Sequence, residues 1–175
     1  MATLVMLIFL SNGAYAQYWQ SIGVFIPQVT LIAVRGETNT NLSLGLDGPG
    51  EAGLGMTNTS DSSLWINYTF IRGGLTRPKG HIYTKISSGS LPSGMPLKVR
   101  AKSATYHGIG LLGSPTSQLT LSSTDQKIIS NVRTSYTGRG INKGHNLVYE
   151  LDVTNYSLAN YTSPIVLTIT YTLTD

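Results

Sequence analysis

The chain has 175 residues, of which 41% are hydrophobic and only 11% are charged, and its formal net charge is +4. This length suits one domain with a core of its own, and so few charges are atypical of a surface built from helices. Cysteine is absent, which excludes a disulfide framework, thiol catalysis and zinc–thiolate sites.

Residues 1–16 have the features of an export signal. The apolar run Leu4–Leu10 precedes Ala14-Tyr15-Ala16, a small-x-small pattern typical of signal-peptide cleavage, although no Lys or Arg precedes the run. The run is too short to cross a bilayer as a helix. We therefore expect a cleaved signal peptide at 1–16 and a single domain at 17–175. That domain is expected to have no transmembrane segment and to be exported to the cell surface or beyond, through the periplasm in a Gram-negative source.

Alternation of apolar and polar residues predicts nine strands, because successive side chains on a strand point to opposite faces. Clusters of Gly, Pro, Asn, Asp and Ser separate them, and no segment has a convincing helical period. The predicted strands are Val24–Val34, Asn41–Leu46, Ser63–Arg72, His81–Ser87, Pro96–Lys102, Gln118–Leu121, Lys127–Val132, His145–Val153 and Ile165–Leu173. This spacing predicts an all-β domain, either a sandwich or a barrel.

Few residues indicate catalysis or metal binding. Glu150 and Asp152 stand two apart on a predicted strand and so share a face, as a glycosidase pair would, whereas a weak calcium site would need more oxygen ligands than these two provide. The apolar residues that alternate with them are expected to take the buried face, which leaves both acids in solvent. His81, His107 and His145 have no partner at a metal-ligand spacing. We expect no catalytic residue, no cofactor and no metal.

Two features are candidates for binding. Lys98, Arg100 and Lys102 alternate with apolar residues, so three cations share one strand face. This pattern suits a binding site for an anionic polymer or a membrane surface. It also suits a solvated strand face or a sheet edge whose charges prevent aggregation, and we expect one of these two structural roles. Trp65 lies opposite the face of Leu64 and is either a stacking platform for a sugar or part of the core, and we expect the core. Nucleic acid is not an expected partner, since a basic face studded with aromatics is missing.

A glycine-rich segment and several sequons complete the list of motifs. Gly138–Gly144 resembles a phosphate-binding loop, but no helix follows it, so we expect a hairpin loop. Sequons matter only if the source glycosylates exported proteins. They begin at Asn41, Asn58, Asn67, Asn155 and Asn160.

Several segments resemble an uncharacterised family of small exported bacterial β-sandwich proteins. The resemblance covers nearly all of the mature chain, but its motifs imply no activity. They are Glu51–Gly55, Leu64–Thr69, Ile86–Gly94, Tyr136–Tyr149 and Thr170–Asp175.

At the level of fold, the chain is similar to the spore-coat-U-like domain and to the pilins of archaic chaperone–usher pili. Those proteins are exported, Thr- and Gly-rich sandwiches that end on an alternating strand after a Tyr-Thr element, here Tyr161-Thr162. The resemblance implies an immunoglobulin-like sandwich of about seven to nine antiparallel strands, completed by the N-terminal strand of a neighbour. Val24–Val34 would be the donor strand. Pro27 inside it, and the lack of the usual pilin cysteines, depart from the pilin pattern.

These observations lead to one expectation and one alternative. We expect a non-enzymatic structural or adhesive protein of the cell surface, a fimbrial or pilin-like subunit that associates with itself through its terminal strands. The alternative is a carbohydrate-binding module that binds surface polysaccharide through Trp65 or through the cations. An open sheet edge or an unpaired N-terminal segment would favour the subunit, and exposed aromatics in a groove would favour the module.

Overall fold

The structure is a computed structural model that describes residues 20–46, 48–72, 79–105, 108–155 and 165–174. The predicted signal peptide, His107, the sequon at Asn160 and the Tyr161-Thr162 element lie outside these residues.

The described residues form eleven strands and no helix, and every strand pair is antiparallel. The strands make one sheet of seven and one sheet of four, which confirms the all-β sandwich. They are β1 (Val29–Arg35), β2 (Thr59–Ile71), β3 (Gly80–Ser88), β4 (Leu97–Ala101), β5 (Ile109–Gly110), β6 (Ser114–Pro115), β7 (Leu119–Thr120), β8 (Gln126–Val132), β9 (Ser135–Tyr136), β10 (His145–Leu151) and β11 (Thr168–Thr174).

Eight of the nine predicted strands are present, with shifted ends, and one is not. β1 begins at Val29 rather than Val24, two residues after Pro27, because proline has no amide hydrogen to donate to a ladder. The prediction at Asn41–Leu46 is wrong, since no ladder forms there. The additional strands β5, β6 and β9 have two residues each, too few to show alternation in the sequence.

β2 organises the seven-stranded sheet. β1 pairs with one edge of β2 over Trp65–Ile71. The other edge is shared, since β10 pairs with Thr59–Ile66 and β9 pairs with Thr69 and Phe70. The sheet continues outward from β10 through β4 to β7, and β5 extends it beyond β9. The four-stranded sheet has the order β11, β3, β8, β6.

The inner faces of the two sheets meet in one apolar core. As predicted, Leu64, Ile66, Tyr68 and Phe70 of β2 share the core face, and none is more than 4% exposed. The four-stranded sheet contributes Ile82, Ile128, Ile129, Val132 and Leu173. β1 and β11 are edge strands of the two sheets, and they lie near each other on one side of the sandwich.

Candidate binding surfaces

An apolar groove of about 800 Å³ opens between the two sheets on the side of β1 and β11. We call it the interlayer groove. Its wall residues come from both sheets and from the segment 40–46. Prominent among them are Val34, Leu42, Leu44, Leu46, Leu64, Leu91, Met95, Leu97, Leu151, Leu167 and Ile169. The sandwich is therefore packed in its centre and open along this side.

Residues 41–46 line one side of this groove without joining either sheet. Leu42, Leu44 and Leu46 are half-buried against the core, while the residues between them are exposed. The alternation that predicted a strand is therefore real, but the backbone has no ladder partner among the described residues. The segment is tethered where the Thr59 hydroxyl donates a hydrogen bond to the Gly45 carbonyl.

The floor of the groove carries two tyrosine hydroxyls. Those of Tyr149 on β10 and Tyr171 on β11 are 2.7 Å apart and join the two sheets by a hydrogen bond. Burial raises the pKa of Tyr171 to about 12 and also raises that of Tyr149, so both rings stay protonated at neutral pH. The floor is thus polar but uncharged.

The segment that precedes β1 is extended, unpaired and apolar. Residues 20–28 make no ladder and are exposed throughout. Ile22, Val24, Phe25 and Ile26 are 79%, 84%, 87% and 70% exposed. So many large apolar side chains in one short exposed stretch are typical of an interaction segment.

The outer face of the seven-stranded sheet carries a second candidate surface. Arg35 of β1 is opposite Trp65 of β2, and Trp65 is opposite Asn146 of β10. The row ends at Lys102, whose amide donates to the Asn146 carbonyl at 2.8 Å. We call Arg35, Trp65, Asn146 and Lys102 the outer-face row. Trp65 is half-buried there and absent from the core, so the expectation that it packs in the core is wrong.

The three predicted cations do share this outer face, but they differ in their partners. Lys98 Nζ lies 2.9 Å from Asp152 Oδ2, and the hydrogen bond raises the pKa of Lys98 and lowers that of Asp152. Among the described residues, Arg100 and Lys102 form no ion pair and both are exposed. At Lys98 and Val99, β4 lies between β10 and β7. Lys98 is therefore not on a free sheet edge, where its charge would prevent aggregation.

Glu150 and Asp152, the candidate carboxylate pair, face outward as predicted. Each is engaged elsewhere, because Gln118 donates to Glu150 at 2.9 Å and Lys98 binds Asp152. Within the part of the chain that the structure describes, no three His, Asp or Glu side chains gather as metal ligands. Among the residues described, there is no helix long and apolar enough to cross a membrane.

The glycine-rich segment is folded onto the outer face of β2. Asn67 accepts a hydrogen bond from the Gly140 amide at 2.7 Å and donates one to the Lys143 carbonyl at 2.7 Å. The segment connects β9 to β10, which both pair with β2 rather than with each other, so the hairpin expectation is wrong. Asn67 is 5% exposed and held by the loop, so its sequon is inaccessible to a glycan.

A buried hydrogen-bonded chain lies beneath this loop and was not predicted. The Gly113 amide donates to the Tyr68 hydroxyl at 3.1 Å, and that hydroxyl lies 3.2 Å from His145 Nε2. His145 Nδ1 is 2.9 Å from the Lys102 carbonyl. His145 is fully buried. No spacing in the sequence connects these four residues.

Comparison of the chain with models of protein families, with curated proteins and with solved structures finds no match. The resemblances to exported bacterial β-sandwich proteins and to pilins therefore stay predictions.

Proposed function

We propose that the protein is a non-enzymatic, exported structural subunit of the cell surface that assembles by β-strand addition. In this proposal, residues 20–28 of one copy enter the interlayer groove of the next. The observation that carries it is the exposed apolar segment before β1, with Ile22, Val24 and Ile26 each at least 70% exposed. Burying such a side chain stabilises an assembly by about 1.5–3 kcal/mol.

The segment and the groove have matching patterns. Ile22, Val24 and Ile26 alternate on one face of an extended chain, and Leu42, Leu44 and Leu46 alternate in the same way inside the groove. An incoming segment would therefore present three apolar side chains at the spacing that the groove already accommodates. Residues 41–46 make no ladder hydrogen bonds, so an incoming strand that forms a ladder displaces them. We call this their placeholder role.

The edges beside the groove supply the missing hydrogen bonds. Within the described residues, β1 pairs only with β2 and β11 pairs only with β3, so each has an outer edge free for another strand. Such edges are where an added strand gains affinity from its main chain. β1 itself is committed to β2, which limits the donor to the residues before Val29 and excludes most of the predicted donor Val24–Val34.

Light scattering on the purified protein tests this function. We expect concentration-dependent assembly that Val24→Asp together with Ile26→Asp abolishes, since two charges would enter an apolar groove. Ser21→Asp is the matched control, because its side chain alternates to the other face and assembly should persist. An added peptide of residues 20–28 should cap growth. A parent protein that stays monomeric at every concentration would show that the proposal is wrong.

A further inference from the structure

We propose that the outer-face row is a binding site for an acidic polysaccharide. Arg35 and Lys102 end the row, the Trp65 indole lies between them, and Arg100 stands beside it on β4. This site is on the opposite side of the seven-stranded sheet from the interlayer groove. It therefore does not depend on assembly by strand addition.

The electrostatics of the row favour an anionic ligand. Among the described residues, the side chains of Arg35, Arg100 and Lys102 form no ion pair and all are exposed. Arg139 is also exposed and is placed near them, because the next residue, Gly140, donates its amide to Asn67 on the same face of β2. Glu150 and Asp152 lie beyond Arg100 on this face, but each already has a partner, because Gln118 donates to Glu150 and Lys98 binds Asp152.

The shape of the surface suits an extended chain. Asn146 and Val148 point outward between these long side chains, yet they are only 4% and 8% exposed. We infer that Trp65, Arg100 and Lys102, their register neighbours, cover them. The Asn146 amide is fixed by donating to the Ser62 and Leu64 carbonyls at 2.6 and 3.2 Å. Four strands at their usual spacing make the row about 14 Å long, which is enough for several sugar rings.

The aromatic content of the row favours a polysaccharide over single-stranded nucleic acid. Proteins that bind nucleic acid without sequence preference stack successive bases on several aromatic side chains. Here one indole lies among the cations. It provides one apolar platform for a sugar ring, and the guanidinium and ammonium groups on both sides provide donors for carboxylates.

Affinity electrophoresis of the purified protein in gels with polygalacturonate, uncharged dextran or neither tests the proposal. We expect retardation by polygalacturonate alone, weakened as salt shortens the range of the charges. Arg35→Gln with Lys102→Gln should lower affinity at least fivefold, and Trp65→Ala at least tenfold. Lys127→Gln is the control for charge lost away from the row, since it removes one cation from the outer face of the four-stranded sheet. It should leave affinity within twofold of the parent.

A fluorescence titration keeps the test informative if Trp65→Ala does not fold. Trp19 and Trp65 are the only tryptophans, so Trp19→Phe isolates the emission of Trp65. Polygalacturonate should shift that emission, and dextran should not. Three results would overturn the proposal: equal loss of affinity in Lys127→Gln, unchanged emission on saturation, or equal retardation by single-stranded DNA, which would show attraction to any polyanion.

Discussion

The Tyr68 hydroxyl and His145 Nε2 lie 3.2 Å apart, with their rings stacked at a 13° interplanar angle, inside the seven-stranded sheet. His145 Nδ1 faces the Lys102 carbonyl, which only accepts, so Nδ1 carries the proton. In the neutral ring Nε2 then accepts from Tyr68, whose oxygen accepts from Gly113. Each donor in this series of hydrogen bonds has an acceptor only while His145 is neutral.

This arrangement predicts loss of stability in mild acid. Burial lowers the pKa of His145 from its ordinary 6.5, so the unfolded chain binds a proton at a pH where the folded chain does not. The free energy of unfolding should therefore fall as pH drops through about 6.5 and stop falling below the folded pKa. Urea unfolding between about pH 8 and pH 5 measures it.

The matched control for this prediction concerns His81, whose pKa is also lowered, by partial desolvation and by Lys127 and Lys79. His81→Asn should leave most of the pH dependence in place, because the His81 ring is less buried than the His145 ring. If His81→Asn removes the whole slope, the buried chain is not its source.

The hydroxyl pair on the groove floor predicts coupling between the sheets. Tyr149→Phe or Tyr171→Phe should each lower the free energy of unfolding by about 1 kcal/mol, since each leaves the other hydroxyl without this partner. The double variant should lose less free energy of unfolding than the two single variants together, because both changes remove the same hydrogen bond. Urea unfolding of all four proteins measures the cycle. Strict additivity would contradict the coupling.

Gly144 is predicted to tolerate no side chain. Its φ is +72°, and a Cβ there would lie 2.1 Å from the Ile66 carbonyl oxygen. Gly144→Ala should therefore destabilise the protein by more than backbone strain alone, which costs about 1–3 kcal/mol. Gly140→Ala is the matched control, with φ of +109° in the same loop but no atom within 4 Å of the added Cβ. Equal losses in thermal unfolding would mean that the close approach to β2 does not matter.

The placeholder role of residues 41–46 predicts how fast the groove accepts a strand. Leu44→Ser should weaken the packing of this segment and speed the uptake of a labelled peptide of residues 20–28 several-fold. Ser43→Ala, at an exposed neighbouring position, should leave the rate unchanged. Fluorescence anisotropy follows the uptake. Slower or unchanged uptake in Leu44→Ser would contradict this role.

Local patterns decided most of the fold, because strand alternation depends only on neighbouring residues. Leu64, Ile66, Tyr68 and Phe70 were assigned to one buried face from their spacing alone, and they line the core. The same pattern placed Lys98, Arg100 and Lys102 together on a face. The alternation at Leu42, Leu44 and Leu46 also predicted which side chains turn inward, although it misassigned the backbone as a strand.

Contacts between distant segments were decided only by the tertiary structure. The outer-face row joins Arg35, Trp65, Asn146 and Lys102 from four separate segments, and their order follows from strand pairing that no local pattern encodes. Trp65 was expected in the core because large aromatics are usually buried, but the inner positions of β2 were already taken by its neighbours. The sequence by itself determined an all-β chain and the inner and outer residues of its main strands. The pairing of the two sheets decided the open groove and the row of cations around an indole, because both depend on which strands become neighbours.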